Sequence, residues 1–185
     1  MTSPRFLKFI VTAIVLLIVL SFIGWEHFHG GVVSHHILNQ KNLPAISNWW
    51  GVVVLPIFTW FLLSRIEKRF NQESSKQLAT KKFIQKTLLL FVLGFSLGLA
   101  LALSFVNEYQ PFLENVLLIF LILSFIFPIY FAECILGFVL AMTFTFGAIL
   151  PIVFILVMAS IGAIIYKWIR PFIIQSVKKL RKTYH

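Results

Sequence analysis

The sequence has few of the residues on which soluble proteins and many enzymes depend. Charged residues make up only 12% of its 185 positions, whereas a soluble domain carries about 25%. Cys134 is the single cysteine, which excludes an intramolecular disulfide framework and a cysteine-based zinc cluster. The chain contains no aspartate, which excludes prenyltransferase-type DDxxD sites and membrane hydrolases that depend on aspartate. The chain therefore cannot carry a large hydrated surface, and several familiar kinds of site are ruled out.

Long apolar segments take the place of this missing charge. Hydrophobic residues account for 59% of the chain, and its mean hydropathy is +0.94. The run FIVTAIVLLIVLSFI near the amino terminus and the stretch 116–166 are long enough to need lipid as their solvent. The sequence therefore predicts an all-α integral membrane protein. We expect a polytopic helical bundle in which residues 1–185 form a single unit, with no sizeable water-soluble domain.

The net charge of +10 is confined to a few segments. Seven of the sixteen cations lie in 65–86, six lie in 167–185, Arg5 and Lys8 precede the first apolar run, and only Lys41 falls elsewhere. This clustering is the positive-inside signature of a membrane protein. We therefore expect the basic segments to lie in the cytoplasm, against the anionic headgroups of membrane lipids. Nucleic-acid binding, the alternative reading of a basic chain, is disfavoured.

Six membrane spans are expected, at roughly 7–25, 49–64, 87–106, 115–131, 133–148 and 150–167. Between and after them lie a histidine-rich outer loop (26–48), a basic inner loop (65–86) and a basic amphipathic tail (168–185). The stretch 116–166 corresponds to roughly 76 Å of helix, which fits two long spans or three short ones. Three spans place the basic tail on the same side as the other cations, so we favour six spans with both termini in the cytoplasm. The expected location is a bacterial inner (plasma) membrane, and the first span is expected to be an uncleaved signal anchor.

Two features inside the apolar segments could have further roles. Gly94, Gly98 and Ala102 recur at four-residue spacing, which lets helix backbones approach closely, either within the bundle or in a homo-oligomer. Glu133 is a carboxylate in an apolar stretch and so a candidate functional residue by default. In the six-span arrangement, however, it is expected at a wet inner turn. Its neighbour Cys134 has no base nearby in sequence that would activate it as a nucleophile.

The stretch GWEHFHGGVVSHHIL, residues 24–38, contains four of the five histidines and one of the six carboxylates. If the first helix continues to His29, then Glu26 and His29 lie three residues apart on one face. Helical carboxylate-bridged metal sites place two ligands at this spacing. His27 would point away from His29. Gly30–Gly31 is expected to end the helix, because glycine readily adopts the left-handed conformation found at helix ends.

After these glycines, VVSHHILNQ is expected to form a second short helix, and Asn48 is a candidate N-cap for the second span. A tight turn would fold His35 or His36 back over the first helix and create a site of three or four nitrogen and oxygen ligands. Such a site suits zinc, iron or copper. The predicted metal ligands are Glu26, His27, His29, His35 and His36. Haem held between facing helices is disfavoured, because spans two to six contain no histidine.

Three functions remain open on this basis, and the sequence does not decide whether the protein is an enzyme. The first is a metalloenzyme acting on a lipid or another apolar substrate, with Glu26 as a metal ligand or as the catalytic general base. The second is a non-catalytic metal-handling or accessory membrane protein. The third is a structural bundle whose histidines only brace an interfacial loop. A transporter is disfavoured because spans three to six contain few polar residues that could line an aqueous path.

Overall fold

The computed structural model describes residues 4–36, 42, 44–73 and 77–183. Its helices are α1 (Pro4–Phe28), α2 (Trp49–Glu73), α3 (Gln77–Val106), α4 (Gln110–Ile126), α5 (Ala132–Phe146), α6 (Ile149–Ile164) and α7 (Arg170–Thr183). A π-helical turn over Ile165–Ile169 joins α6 to α7. Two short strands, β1 (Ser34–His36) and β2 (Ala45–Ser47), form one antiparallel pair. Apart from this pair, the described elements are all helical.

Four of the helices are long and apolar enough to cross a membrane. They cover Arg5–Phe28, Trp49–Gln72, Thr80–Val106 and Ile149–Ser176. The predicted all-α membrane bundle is confirmed at this level. The apolar helices α4 and α5, with 17 and 15 residues, extend only about 25 and 22 Å. The number of membrane crossings therefore depends on whether these two short helices span the membrane.

Two segments expected outside the spans are largely helical. α2 continues to Glu73 and α3 begins at Gln77, so the described parts of 65–86 extend these helices. Residues 170–183 likewise continue α6 through the π-helical turn. Lysine, arginine, glutamate and glutamine are good helix formers, and no glycine or proline interrupts 65–86. Basic character at a membrane surface therefore does not require a loop.

Successive helices run in opposite directions. α5 runs parallel to α3, because Gly94 faces Cys134 and Gly98 faces Phe138 in the same order along both helices. Lys8–Glu67 makes α1 and α2 antiparallel, and Phe70–Phe83 does the same for α2 and α3. Phe120–Phe154 and Ser124–Gly162 make α4 and α6 parallel. Tyr130–Tyr166 places the end of α6 beside the start of α5. One end of the bundle, which we call the basic end, contains the start of α1, the end of α2 and the start of α5. The opposite end, which we call the histidine end, contains the end of α1, the strand pair and the end of α5.

α5 is the central helix of the bundle. Ten of its fifteen residues are buried, whereas in α4 only Phe120 and Ser124 are. A helix that is apolar all round is expected to be buried rather than to lie at a surface. The short α5 therefore packs mainly against other helices.

The stripe of small residues on α3 provides the closest helix contact. A Cβ at Gly94 would overlap the carbonyl oxygen of Cys134, and a Cβ at Gly98 would lie 2.6 Å from the carbonyl oxygen of Phe138. Gly137 makes the reciprocal approach from α5 to α3, and Ala102 is also buried. The stripe therefore packs within the chain, so it does not offer an open face for the homo-oligomer contact considered above.

Gly94→Ala is expected to destabilise the protein, because the added methyl group meets main-chain atoms that cannot rotate away. Overpacking costs typically about 1–3 kcal/mol, and a clash with backbone belongs at the upper end of that range. The measurement is thermal unfolding of the detergent-purified protein. The matched control is Gly24→Ala in α1, where a Cβ meets nothing within 4 Å; its midpoint should stay unchanged or rise slightly. Equal midpoints for the two variants would contradict the α3–α5 contact.

Candidate functional site

Glu26, in the last turn of α1, is a buried carboxylate that accepts hydrogen bonds from two other segments. Only 6% of the residue is exposed. The Asn48 side-chain amide donates to Oε1 at 3.0 Å and to Oε2 at 3.3 Å. The backbone N–H of Val33 donates to Oε2 at 3.3 Å. Because a buried carboxylate is costly without such donors, Glu26 holds the following loop and the start of α2 against the end of α1.

The chain leaves α1 through two glycines, as the sequence predicts. Gly30 and Gly31 have φ angles of 121° and 97°, which residues with a side chain rarely adopt. The N–H of Gly31 donates to the Glu26 carbonyl oxygen at 3.0 Å. The glycines therefore turn the backbone just beyond Glu26, and Val33 reaches its carboxylate.

The segment after the glycines is extended, so the predicted second short helix is wrong. In the pair of β1 with β2, His35 lies opposite Ile46, and the Asn48 N–H donates to the Val33 carbonyl oxygen at 3.0 Å. β-Branched residues such as Val33 favour extended backbone. Because side chains alternate along a strand, His35 and His36 point to opposite faces. The rest of the predicted helix, residues 37–40, lies outside the described residues.

His35 is the histidine whose charge is coupled to Glu26. Its imidazole is half-buried, and burial lowers its pKa; the Glu26 carboxylate acts in the opposite direction and offsets part of this. The Cδ2 of His35 also lies 3.5 Å from the position that a Cβ of Gly147, at the end of α5, would take. We call Glu26, Val33, His35, Asn48 and Gly147 the Glu26 cluster. It joins α1, β1, the start of α2 and the end of α5.

Gly147 is required where α5 reaches this cluster. It has a φ angle of 69°, and a Cβ at this position would overlap the side-chain oxygen of Asn48. That oxygen is buried and has no hydrogen-bond partner among the described residues. A cavity of about 10 Å³ beside the cluster is lined by Val19, Phe22, Ile23, Asn48, Gly51, Thr143, Gly147 and Ala148. This is roughly the space of one water molecule, whereas ligand pockets typically enclose about 300–1,000 Å³.

The two histidines at the end of α1 face away from the cluster. His29 is exposed and stacks on Trp25 with ring centroids 4.7 Å apart. Its Nδ1 donates to the Trp25 carbonyl oxygen at 2.8 Å, since a carbonyl oxygen can only accept. His27 is also exposed and packs edge-on against Phe28, with ring centroids 5.4 Å apart. Glu26 and His29, the pair suggested by spacing alone, therefore bond to different partners.

Of the five predicted metal ligands, Glu26 and His35 belong to one cluster, whereas His27 and His29 pack against other side chains. Within the described ranges, no group of three or more histidine, cysteine, aspartate or glutamate side chains is placed to hold a metal ion. A catalytic zinc site needs three protein ligands and a structural one needs four. What the cluster can do chemically is to hold a carboxylate near an imidazole through amide donors.

A second buried carboxylate, Glu133, lies at the basic end in the first turn of α5. The residue is 1% exposed, and Nη2 of Arg69 lies 2.5 and 2.7 Å from its two carboxylate oxygens. The guanidinium also stacks over the Phe131 ring, 4.1 Å from the centroid. The expectation that Glu133 is merely wet is therefore wrong, because Arg69 shields it from solvent and neutralises its charge.

The partners of both carboxylates cannot be identified from the sequence alone. Its pattern marks Asn48 only as a helix cap and Arg69 only as one of many cations. One signal pointed to them: a lone carboxylate beside apolar sequence needs donors or a cation from elsewhere. Which residue supplies them depends on helix packing, since Arg69 and Glu133 are separated by 64 positions.

Arg69→Met is expected to destabilise the protein by about 3–5 kcal/mol, because it leaves the Glu133 carboxylate buried without a cation. The double variant Arg69→Met/Glu133→Leu should recover most of this loss, since apolar replacement of a buried ion pair is often neutral. The control is Arg65→Met, one helical turn away and exposed, which should cost no more than about 1 kcal/mol. Denaturant unfolding in detergent measures all three. A double variant as unstable as Arg69→Met would contradict the pair.

The stability of the protein is expected to fall as the pH drops below about 6.5. The pKa of folded His35 is below its usual value of 6.5, so in this range the unfolded chain binds more protons than the folded one. The loss should stop once the pH passes the lowered pKa of the folded state. The unfolding midpoint, followed from neutral to acidic pH, measures it. His35→Gln should flatten the profile, whereas His29→Gln, which leaves the cluster intact, should not; identical profiles for wild type and His35→Gln would disprove the assignment.

Comparison with known proteins adds no assignment. The sequence matches no protein-family model, and neither curated proteins nor solved structures give a match. The functional inference therefore rests on the geometry described above.

Proposed function

We propose that this chain is a six-span protein of the plasma membrane, with its basic end in the cytoplasm and its histidine end outside. The alternating helix directions support six crossings. The charges support the sidedness, since Arg65, Lys86 and Lys167 belong to the basic end, whereas Glu108 and Glu114 follow the opposite end of α3. The short α5 is compatible with a crossing because other helices cover most of it.

The role that we propose is that of a non-catalytic accessory or structural membrane protein that holds its outer strand pair rigid. The observation that carries this proposal is the set of hydrogen bonds that Glu26 accepts. Both of its carboxylate oxygens accept hydrogen bonds from the segment that it positions, through Asn48 and the Val33 backbone. A carboxylate engaged in this way braces the loop and is not left open for a substrate. The neighbouring cavity, at about 10 Å³, fits the same role.

The helix ends that flank the braced segment display large aromatic side chains at the histidine end. Phe28 is 82% exposed and Trp50 is 60% exposed; Trp25 and Trp49 are exposed as well. Tryptophan is enriched where a membrane meets water, and aromatic anchors of this kind also dominate protein contacts. A rigid, aromatic outer face is what an accessory subunit needs to engage a membrane partner.

A metal-binding role is the second candidate, and the coupling of His35 with Glu26 favours it. The imidazole nitrogen and the carboxylate oxygens come from two different segments and belong to one cluster. A zinc, iron or copper ion held there would need at least one further protein ligand in addition to water. It would also have to displace the Asn48 amide from Glu26. Under this hypothesis Glu26 is a ligand or a general base for an apolar substrate.

Asn48→Ala tests the bracing role. Loss of a hydrogen bond to a buried charge costs about 1.5–3 kcal/mol, so we expect about 10- to 100-fold faster amide exchange at residues 32–36 and 45–48, with α3 and α5 unchanged. Hydrogen exchange followed by mass spectrometry measures this. The control is Asn115→Ala, because the Asn115 amide is exposed and bonds only to Pro111 of its own helix. Unchanged exchange in Asn48→Ala would overturn the bracing role.

Elemental analysis of the same preparations tests the metal-binding role. The bracing role predicts no stoichiometric zinc, iron or copper, and no rise in the unfolding midpoint when these ions are added. A bound ion would raise stability by about 2.7 kcal/mol at 100 times its dissociation constant. A stoichiometric metal that is lost in Glu26→Ala/His35→Ala and retained in His27→Ala/His29→Ala would establish the second candidate instead.

A further inference from the structure

The turn between α4 and α5, at the basic end, carries a group of aromatic rings in contact. The rings of Tyr130 and Phe131 lie edge to face with centroids 4.9 Å apart. Tyr166, in the π-helical turn, lies 5.9 Å from Tyr130. We call these three rings the aromatic platform.

Besides Arg69, which lies over Phe131, three cations from different elements lie over the rings of this platform. Lys86 of α3 has its Nζ 5.1 Å from the Phe131 centroid. Lys167 of the π-helical turn has its Nζ 4.9 Å from the Tyr130 centroid. Arg170 of α7 has its guanidinium carbon 4.5 Å from the Tyr166 centroid. Aromatic faces attract cations, and because the three rings contact one another, each cation lies against a member of one connected group of rings.

No carboxylate neutralises these three cations among the described residues. The ion pairs there are Arg69–Glu133 and Lys8–Glu67. Arg69 therefore has a carboxylate partner, whereas Lys86, Lys167 and Arg170 are in neither pair. Three positive charges gathered from three elements repel one another. An anion bound among them would relieve this repulsion, and the rings keep the cations in place for it.

The π-helical turn is a second, independent indication of a site. Such turns are rare and frequently occur at functional sites. Here the π-helical turn over Ile165–Ile169 lies at the platform, and it carries both Tyr166 and Lys167. A regular helix would present these two side chains in a different direction.

We propose that the aromatic platform and its three cations bind the phosphate of an anionic phospholipid in the inner leaflet. The surface next to the cations argues for a lipid over a free phosphate. Leu89 and Val92 of α3 and Ile161 and Ile164 of α6 are exposed apolar residues that continue from the cations toward the middle of the bundle. Each helix thus offers exposed apolar side chains for an acyl chain of the lipid whose headgroup the cations hold. This inference rests on the membrane placement proposed above and adds a particular lipid site to it.

Native mass spectrometry of the detergent-purified protein tests the proposal, with dioleoylphosphatidylglycerol, dioleoylphosphatidylcholine and inorganic phosphate as probes. The wild type should bind phosphatidylglycerol at least about tenfold more tightly than phosphatidylcholine. The variant Lys86→Gln/Lys167→Gln/Arg170→Gln should lose this preference. A charge-matched control, Arg5→Gln/Arg65→Gln/Lys68→Gln, removes three exposed cations elsewhere at the basic end and should stay within about twofold of wild type.

Several results would overturn the site. Equal losses in the two triple variants would mean diffuse attraction with no defined site. Displacement of the lipid by inorganic phosphate alone would mean a phosphate site without recognition of a lipid. Tyr130→Leu provides a check that changes no charge, and it should also weaken binding of phosphatidylglycerol; unchanged binding would remove the platform from the proposal. The titration in detergent does not depend on which end of the protein lies inside the cell, so it tests the lipid site alone. Thiol labelling of intact cells tests whether the basic end lies inside. Either result can therefore fail without the other.

Discussion

The free-energy cost of burying a carboxylate in an apolar bundle determines the contacts at both ends of this protein. Each buried glutamate needs compensation at close range, since little water reaches it. At the histidine end, neutral donors from Asn48 and the Val33 backbone surround Glu26. At the basic end, Arg69 compensates Glu133. In both cases the partner comes from a different helix or loop, so satisfying one side chain also fixes how two segments meet.

α5 connects these two ends. Glu133 lies in its first turn, and Gly147 lies just beyond its last residue. Its register against α3 is set by the backbone contacts of Gly94, Gly98 and Gly137, which leave almost no freedom to slide. The position of Glu133 relative to Arg69 and that of Gly147 relative to Asn48 therefore depend on the same helix contact. A shift that relieved one cluster would disturb the other.

Global features of this protein could be predicted from the sequence, because they follow from composition and short-range pattern. The apolar runs gave the helical membrane bundle, and Gly30–Gly31 gave the end of α1. Features that depend on distant pairing could not be predicted. The strand at Ser34–His36 exists because Ala45–Ser47 pairs with it, and VVSHHILNQ alone fits a helix equally well. Histidine spacing likewise could not show that His35 joins Glu26 while His29 folds back onto Trp25.

The two glutamates also differ in how the helix dipole acts on them, and this explains why their partners differ. Glu133 lies at the amino-terminal end of α5, where the partial positive charge of the helix favours an anion; a single arginine completes its compensation. Glu26 lies in the last turn of α1, where the dipole disfavours a carboxylate and favours histidines such as His27. Its compensation must come from chain that has already left the helix. The two glycines and the strand pair return that chain to Glu26, so the conformation of the outer segment and the burial of this carboxylate depend on each other.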